Sequence, residues 1–172
     1  TTFAGNATGG TAYLIADEGA TVDFSQVTSG IAVGTIEGAG TFRLGGKVLT
    51  VGSGNLSTTV DGTIEDGGIG GGTGGSLVKV GTGTLSLGGV SLYTGRTDVE
   101  AGTLQAAKNG ALAEKSAFTI AAGATLDLAG FKATIGSLAG AGAVTLNAAT
   151  SALSIGGDGT STVFSGMISG EG

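Results

Sequence analysis

The 172-residue chain has 38 Gly, no Pro, Cys, His or Trp, and seven basic against thirteen acidic residues, for a net charge of −6. Lacking His and Cys, it cannot build a Ser/His/Asp triad, a Cys nucleophile or the usual zinc, haem and iron–sulfur sites, and lacking a basic footprint it is a poor partner for nucleic acid. Glycine stands at about three times its usual share, yet 40% of residues are hydrophobic and only 12% charged, so a folded chain is expected rather than low-complexity coil.

From the N-terminus onward, apolar residues alternate with polar ones in short bursts, the period of a half-buried strand. The bursts are Thr21–Phe24, Thr41–Leu44, Val48–Val51, Leu77–Val80, Thr84–Leu87, Thr97–Glu100, Thr103–Ala106, Phe118–Ile120, Leu126–Leu128, Val144–Leu146 and Leu153–Ile155. Side chains alternate across a strand, so Asp23, Arg43, Ser86, Asp98 and Asp127 are expected to face solvent. Glycine interrupts nearly every helical window, and only Ala111–Lys115 has the composition for one helical turn. No stretch approaches the roughly 20 apolar residues of a membrane helix, and the opening at Thr1 has no signal-peptide character. The chain therefore reads as a mature or excised piece.

Residues 19–67 recur at 123–171: GATVDF becomes GATLDL, TIEGAGTFRL becomes SLAGAGAVTL, and LTVGSGNLSTTVDGTIEDG becomes LSIGGDGTSTVFSGMISGE. The offset is 104, then 102, then 104 residues, so the length changes belong in loops. Repeats assembled from shorter strand units predict an all-β fold, a right-handed parallel β-helix of roughly seven to eight turns and ~35 Å. Glycine would serve the corners. Missing Pro would leave the ladder's N–H groups intact. A β-sandwich or barrel would also show alternation, but it does not account for the repeat.

The segment 79–105 reads KVGTGTLSLGGVSLYTGRTDVEAGTLQ. It resembles the passenger-associated transport repeat (autotransporter-associated β-strand repeat) of bacterial autotransporters, close to K-x-G-x-G-T-L-x-L-x-G-x-x-x-Y-T-G-x-T-x-V-x-x-G-T-L. Lys79, Gly81, Gly83, Thr84, Leu85, Leu87, Gly89, Tyr93, Thr94, Gly95, Thr97, Val99, Gly102, Thr103 and Leu104 fill every fixed position. Leu85, Leu87, Val99 and Leu104 are expected in the core, and Tyr93 over a turn edge.

Other motifs favour structural readings. Residues 67–75, GGIGGGTGG, lack the Lys-Ser/Thr ending of a P-loop and are expected to form a flexible protruding loop. Gly156–Gly159 supplies one copy of a calcium-type nonapeptide fragment whose ligands need tandem copies, so a turn is expected. Acid pairs (Asp17 with Glu18, Glu65 with Asp66, Asp98 with Glu100) invite comparison with polysaccharide-processing β-helices, but catalysis there needs acids placed across a groove. The Thr spacing looks too uneven for an ice-binding array.

The resemblance implies a single β-helical fragment, 1–172, of a longer adhesin- or virulence-type passenger, without catalytic, metal or cofactor site. It implies passage through the outer membrane of a Gram-negative bacterium to the cell surface, with the upstream passenger and a downstream outer-membrane β-barrel as partners. The alternatives are a module binding host ligands or associating with itself and, less favoured, a polysaccharide-processing enzyme. Both ends are expected to lie within the repeat pattern, leaving unpaired edges that favour association.

Overall fold

A computed structural model describes all residues, 1–172. It contains 21 strands and no helix, and every strand pairing is parallel. The first turn holds β1 (Thr2–Gly5) and β2 (Tyr13–Ile15), and the second β3 (Thr21–Val27), β4 (Gly30–Val33) and β5 (Thr35–Glu37). The third holds β6 (Thr41–Arg43), β7 (Val48–Val51) and β8 (Thr58–Val60), and the fourth β9 (Thr63–Glu65), β10 (Ser76–Lys79) and β11 (Thr84–Leu87). The fifth holds β12 (Val90–Ser91), β13 (Thr97–Val99) and β14 (Thr103–Ala106), and the sixth β15 (Ala117–Ile120) and β16 (Thr125–Asp127). The seventh holds β17 (Lys132–Ile135), β18 (Ser137–Gly140) and β19 (Ala143–Thr145), and the eighth β20 (Ala152–Ile155) and β21 (Met167–Ser169).

These strands stack into the three faces of a β-solenoid of about eight turns. The first face runs β1-β3-β6-β9-β12 and resumes as β17-β20. The second runs β4-β7-β10-β13-β15-β18. The third begins with β2-β5 and continues as β8-β11-β14-β16-β19-β21, the two parts joined by a Gly38–Val60 bridge. The chain returns to the same face after as few as 18 residues (Thr125 to Ala143) or as many as 28 (Val48 to Ser76).

Alternation fills the interior. On the second face Leu49, Leu77, Thr97, Phe118 and Leu138 stack in register, and on the third Leu85, Leu104, Leu126 and Val144 do so. With their neighbours the apolar members form one continuous core of 32 residues along the axis, so damage to one layer is felt by the next. Outward threonines also align: Thr21, Thr41 and Thr63 stack on the first face, and Thr84, Thr103 and Thr125 on the third. The spacing that looks uneven in sequence becomes regular because turns differ in length between strands rather than within them.

The copies 19–67 and 123–171 fall on different faces. β3, β6 and β9 of the first face correspond to β16, β19 and β21 of the third; β4 and β7 of the second correspond to β17 and β20 of the first; β5 of the third corresponds to β18 of the second. The later copy is thus displaced by about four and two-thirds turns. The repeated sequence encodes a strand-and-corner unit that any face accepts.

Two local expectations are corrected. Ala111–Lys115 is not helical: Lys108–Gly110 and Glu114–Lys115 make bends and turns while Ala111, Leu112 and Ala113 enter the core, interrupting the first-face ladder. Asp23 lies outward beside Arg43 but is only 3% exposed, because residues 67–75 cover it.

Leu85 and Leu87 are each 2% exposed. Replacing both by Asp would bury two unpaired carboxylates and is expected to abolish folding, seen as loss of the β-type circular dichroism spectrum. Phe118→Ala, at a site 1% exposed, is expected to cost about 3–5 kcal/mol in denaturant titration.

Candidate functional site

The motif segment opens on the last residue of β10, continues through β11, passes Gly89 into β12, and returns through Tyr93–Gly95 to β13, the Gly102 corner and β14. Thr84, Leu85 and Leu87 lie on β11, Thr97 and Val99 on β13, and Thr103 and Leu104 on β14. Leu85, Leu87, Val99 and Leu104 are buried in the core. Gly81 and Gly83 form the corner between β10 and β11, and Thr94 and Gly95 the corner before β13.

Lys79 occupies an inward position. Its register mates are Val51 below and Val99 above, and the residue is 1% exposed. The ammonium has no carboxylate partner; it donates to the carbonyls of Val80 (2.8 Å), Gly81 (3.0 Å) and Ala101 (3.2 Å). Two of these acceptors belong to its own corner and the third to the next turn, so Lys79 ties consecutive turns from inside. Gly102 completes the arrangement: its φ is +66°, and a Cβ there would lie 2.9 Å from Lys79 Nζ and collide with the Gly81 carbonyl oxygen. Glycine alone suits both the left-handed backbone and the ammonium's space. Burial holds the Lys79 ammonium below the usual lysine range.

Tyr93 is 1% exposed and lies in the core rather than over a turn edge. Its hydroxyl and that of Thr97 share a 2.7 Å hydrogen bond, and Thr97 and Ser116 share another of 2.8 Å. This buried hydroxyl chain joins turns five and six. Burial pushes the phenol's ionisation far above tyrosine's usual range, only partly offset by Thr97. Gly89 allows β11 to bend into β12, because a Cβ there would meet the Gly62 carbonyl.

The acid pairs do not converge. Asp98 forms an ion pair with Arg96 (2.8 Å) while Glu100 is exposed beyond the end of β13. Glu65 pairs with Arg43 (2.9 Å), and Asp66 turns to the backbone of the glycine run instead. Asp17 and Glu18 are exposed. Asp158 accepts from the backbone and hydroxyl of Thr160 (2.9 and 2.7 Å), closing a local turn in the nonapeptide-like stretch. Three surface cavities, of about 370, 470 and 230 Å³, contain no carboxylate other than Glu114.

Sequence reasoning named Asp66 only as half of an acid pair, and missed its hold on the glycine run, Ser116 and the tether of residues 67–75. The one available signal was an Asp directly before a glycine run, a residue suited to accepting exposed backbone N–H groups. Ser116 is distant from the motif and carries no comparable signal.

The profile of the passenger-associated-transport-repeat family matches residues 77–106. The chain carries an autotransporter passenger repeat. A 103-residue stretch, 57% of the chain, is 42% identical to the adhesin BmaC autotransporter of Brucella suis biovar 1 (strain 1330), and the match spans 3% of that protein's length. No solved structure matches. In this chain the family match covers Lys79 with its three carbonyl acceptors, and Tyr93 with Thr97, and ends before Ser116.

Lys79→Met would retain length and volume but leave three carbonyls without their donor, and is expected to destabilise the passenger repeat by about 3 kcal/mol at roughly 1 kcal/mol per acceptor. Because folding depresses the Lys79 value, the unfolded chain binds that proton more tightly. The residue's contribution therefore grows as pH rises toward the ordinary lysine value near 10.4. Denaturant titrations of both proteins from pH 7 to 10 should show that relative gain.

Proposed function

We propose that the chain is a structural β-helical stalk from the C-terminal part of an adhesin-type autotransporter passenger, supporting outer-membrane secretion, folding and surface display. The observation that carries this reading is that the passenger repeat is consumed by the ladder and core: its apolar residues are buried, its lysine is caged by carbonyls, and its corners are close-packed glycines. Small residues and the absence of Cys suit passage as an uncrosslinked thread. Turn-by-turn stacking lets folding propagate between neighbours. The upstream passenger and a downstream barrel are its partners in this reading, and the surface of a Gram-negative cell its destination.

A non-enzymatic role is supported by the carboxylate arrangement, since glycosidic catalysis needs two carboxyl groups flanking one bond and the cavities hold at most Glu114. Direct ligand binding or self-association is a second reading. It is favoured by the interrupted first face, where Leu92 is 56% exposed beside the cavity of about 230 Å³.

The test places the chain between a signal sequence and an outer-membrane β-barrel and measures surface display with antibody on intact cells. Leu85→Asp with Leu87→Asp is expected to abolish display. Asp98→Asn with Glu100→Gln removes only a surface ion pair, worth about 1 kcal/mol or less, and is expected to preserve it. Undiminished display of the leucine variant would overturn the stalk reading, and loss of host-cell binding in Leu92→Ser with display intact would favour the second.

A further inference from the structure

Residues 67–75 leave the column between β9 and β10 and cross the outside of earlier turns. Apolar packing does not hold them: Ile69, their one large side chain, is 69% exposed. They are tied at both ends by side-chain oxygens. Ile69 N–H donates to Asp23 Oδ2 (2.8 Å) and Gly70 N–H to Ser25 Oγ (2.8 Å), while the Ser25 hydroxyl donates to Asp23 Oδ1 (2.6 Å). The second tie thus depends on the first. At the other end Gly75 N–H donates to Asp66 Oδ1 (2.8 Å) and Gly74 N–H to Asp66 Oδ2 (3.1 Å), with the Thr94 hydroxyl also on Oδ2 (2.6 Å). Between these clamps the backbone lies close over the corner at Gly45 and Gly46: a Cβ on Gly45 would sit 2.6 Å from the Gly71 carbonyl oxygen, and one on Gly46 2.8 Å from that of Thr73.

We propose that residues 67–75 form an acid-released strap, clamped across turns two to five by Asp23 and Asp66 and freed at its Asp23 end when that carboxylate is protonated, with the β-ladder left in place.

The ladder consists of backbone hydrogen bonds, which carboxylate protonation does not alter, whereas the clamps are charge-assisted bonds about twice as strong as neutral ones. Around Asp23, β6 presents Arg43, itself paired with Glu65 of β9, and β1 presents the terminal ammonium of Thr1, which donates to the Thr21 carbonyl instead. Around Asp66, the corner before β13 presents Thr94, and the nearby Arg96 is paired with Asp98. Burial opposes ionisation of Asp23, but the hydroxyl of Ser25, the backbone N–H groups of Ile69 and Ser25 and the charge of Arg43 outweigh it, placing its value below the usual carboxylate range. Its hold is complete above the unfolded value near 3.9 and disappears as pH falls through the lower folded value.

The test is a ¹⁵N NMR titration of the chain from pH 7 to pH 2, following the amide shifts and heteronuclear NOEs of Ile69, Gly70, Gly74 and Gly75 beside those of Leu77, Leu85 and Leu104. The Ile69 and Gly70 NOEs are expected to fall while the ladder amides keep theirs. At pH 7, Asp23→Asn should loosen Ile69 and Gly70, and Asp66→Asn should loosen Gly74 and Gly75. Ile69 and Gly70 amides that stay ordered to pH 2, or lose order only together with the ladder, would overturn the proposal. If Asp23→Asn disturbs turn two itself, Asp66→Asn decides: unchanged Gly74 and Gly75 amides in that variant would also overturn it.

Discussion

Each turn of a β-solenoid must find partners for its backbone N–H and C=O groups on the turns above and below, since a buried backbone group left unpaired costs roughly as much as a lost hydrogen bond. That requirement organises the rest of this chain. It excludes Pro from the strands, of which the sequence has none, and makes successive turns superimpose at the ~4.8 Å strand spacing. Superposition stacks side chains of the same register, so an inward rank such as Leu49, Leu77, Thr97, Phe118 and Leu138 must be buried as a series. The corners must also pass close to one another, which explains the need for glycine where a Cβ would strike a neighbouring carbonyl.

The passenger repeat adds polar groups to that frame without breaking it. A lysine amid valines would be costly if its ammonium were left unpaired, but three carbonyls at successive corners receive its three protons. The Tyr93, Thr97 and Ser116 hydroxyls satisfy each other. No buried side-chain nitrogen or oxygen lacks a partner. Apolar ranks tolerate an exchange of one aliphatic residue for another, whereas the cage depends on particular carbonyls facing one ammonium. The cage therefore specifies how turns four and five meet more strictly than the surrounding hydrophobic contacts do.

Alternation, glycine corners and the absence of Pro, together with the internal repeat that decides against a sandwich or barrel, were enough to read the parallel stack and its approximate number of turns, because those are properties of period and backbone. The burial of Leu85, Leu87, Val99 and Leu104 was legible for the same reason. Asp23 was legible only in direction: alternation places it outward, but its cover comes from a loop 46 residues later. The sequence pattern is local and the cover is not. Tyr93 was misplaced because its position depends on Thr97 and Ser116, the second of which comes from the next turn. Ala111–Lys115 has a composition suited to a helix, yet the core needed Ala111, Leu112 and Ala113 more than those residues needed intrahelical bonds. Tertiary burial overrides a weak local propensity.

The one-face displacement between the repeat copies sharpens what a solenoid repeat means. If the sequence unit specified a face, copies 104 residues apart would return to it; instead each corresponding strand lands on the preceding face. What both copies preserve is the inward residue and the corner, the features demanded by ladder and core. Outward residues are released from that demand, and neighbouring turns use them differently. On the third face Ser86 donates to Gln105 (2.9 Å), Gln105 donates to Asp127 (2.8 Å), and Asp127 also receives Thr145 and Asn147 (2.8 Å each). On the first face Arg43 instead pairs with Glu65 while Asp23 holds residues 67–75. The same stacking that makes the interior repetitive thus gives each face a distinct exterior, assembled from residues that are a turn or more apart in the chain.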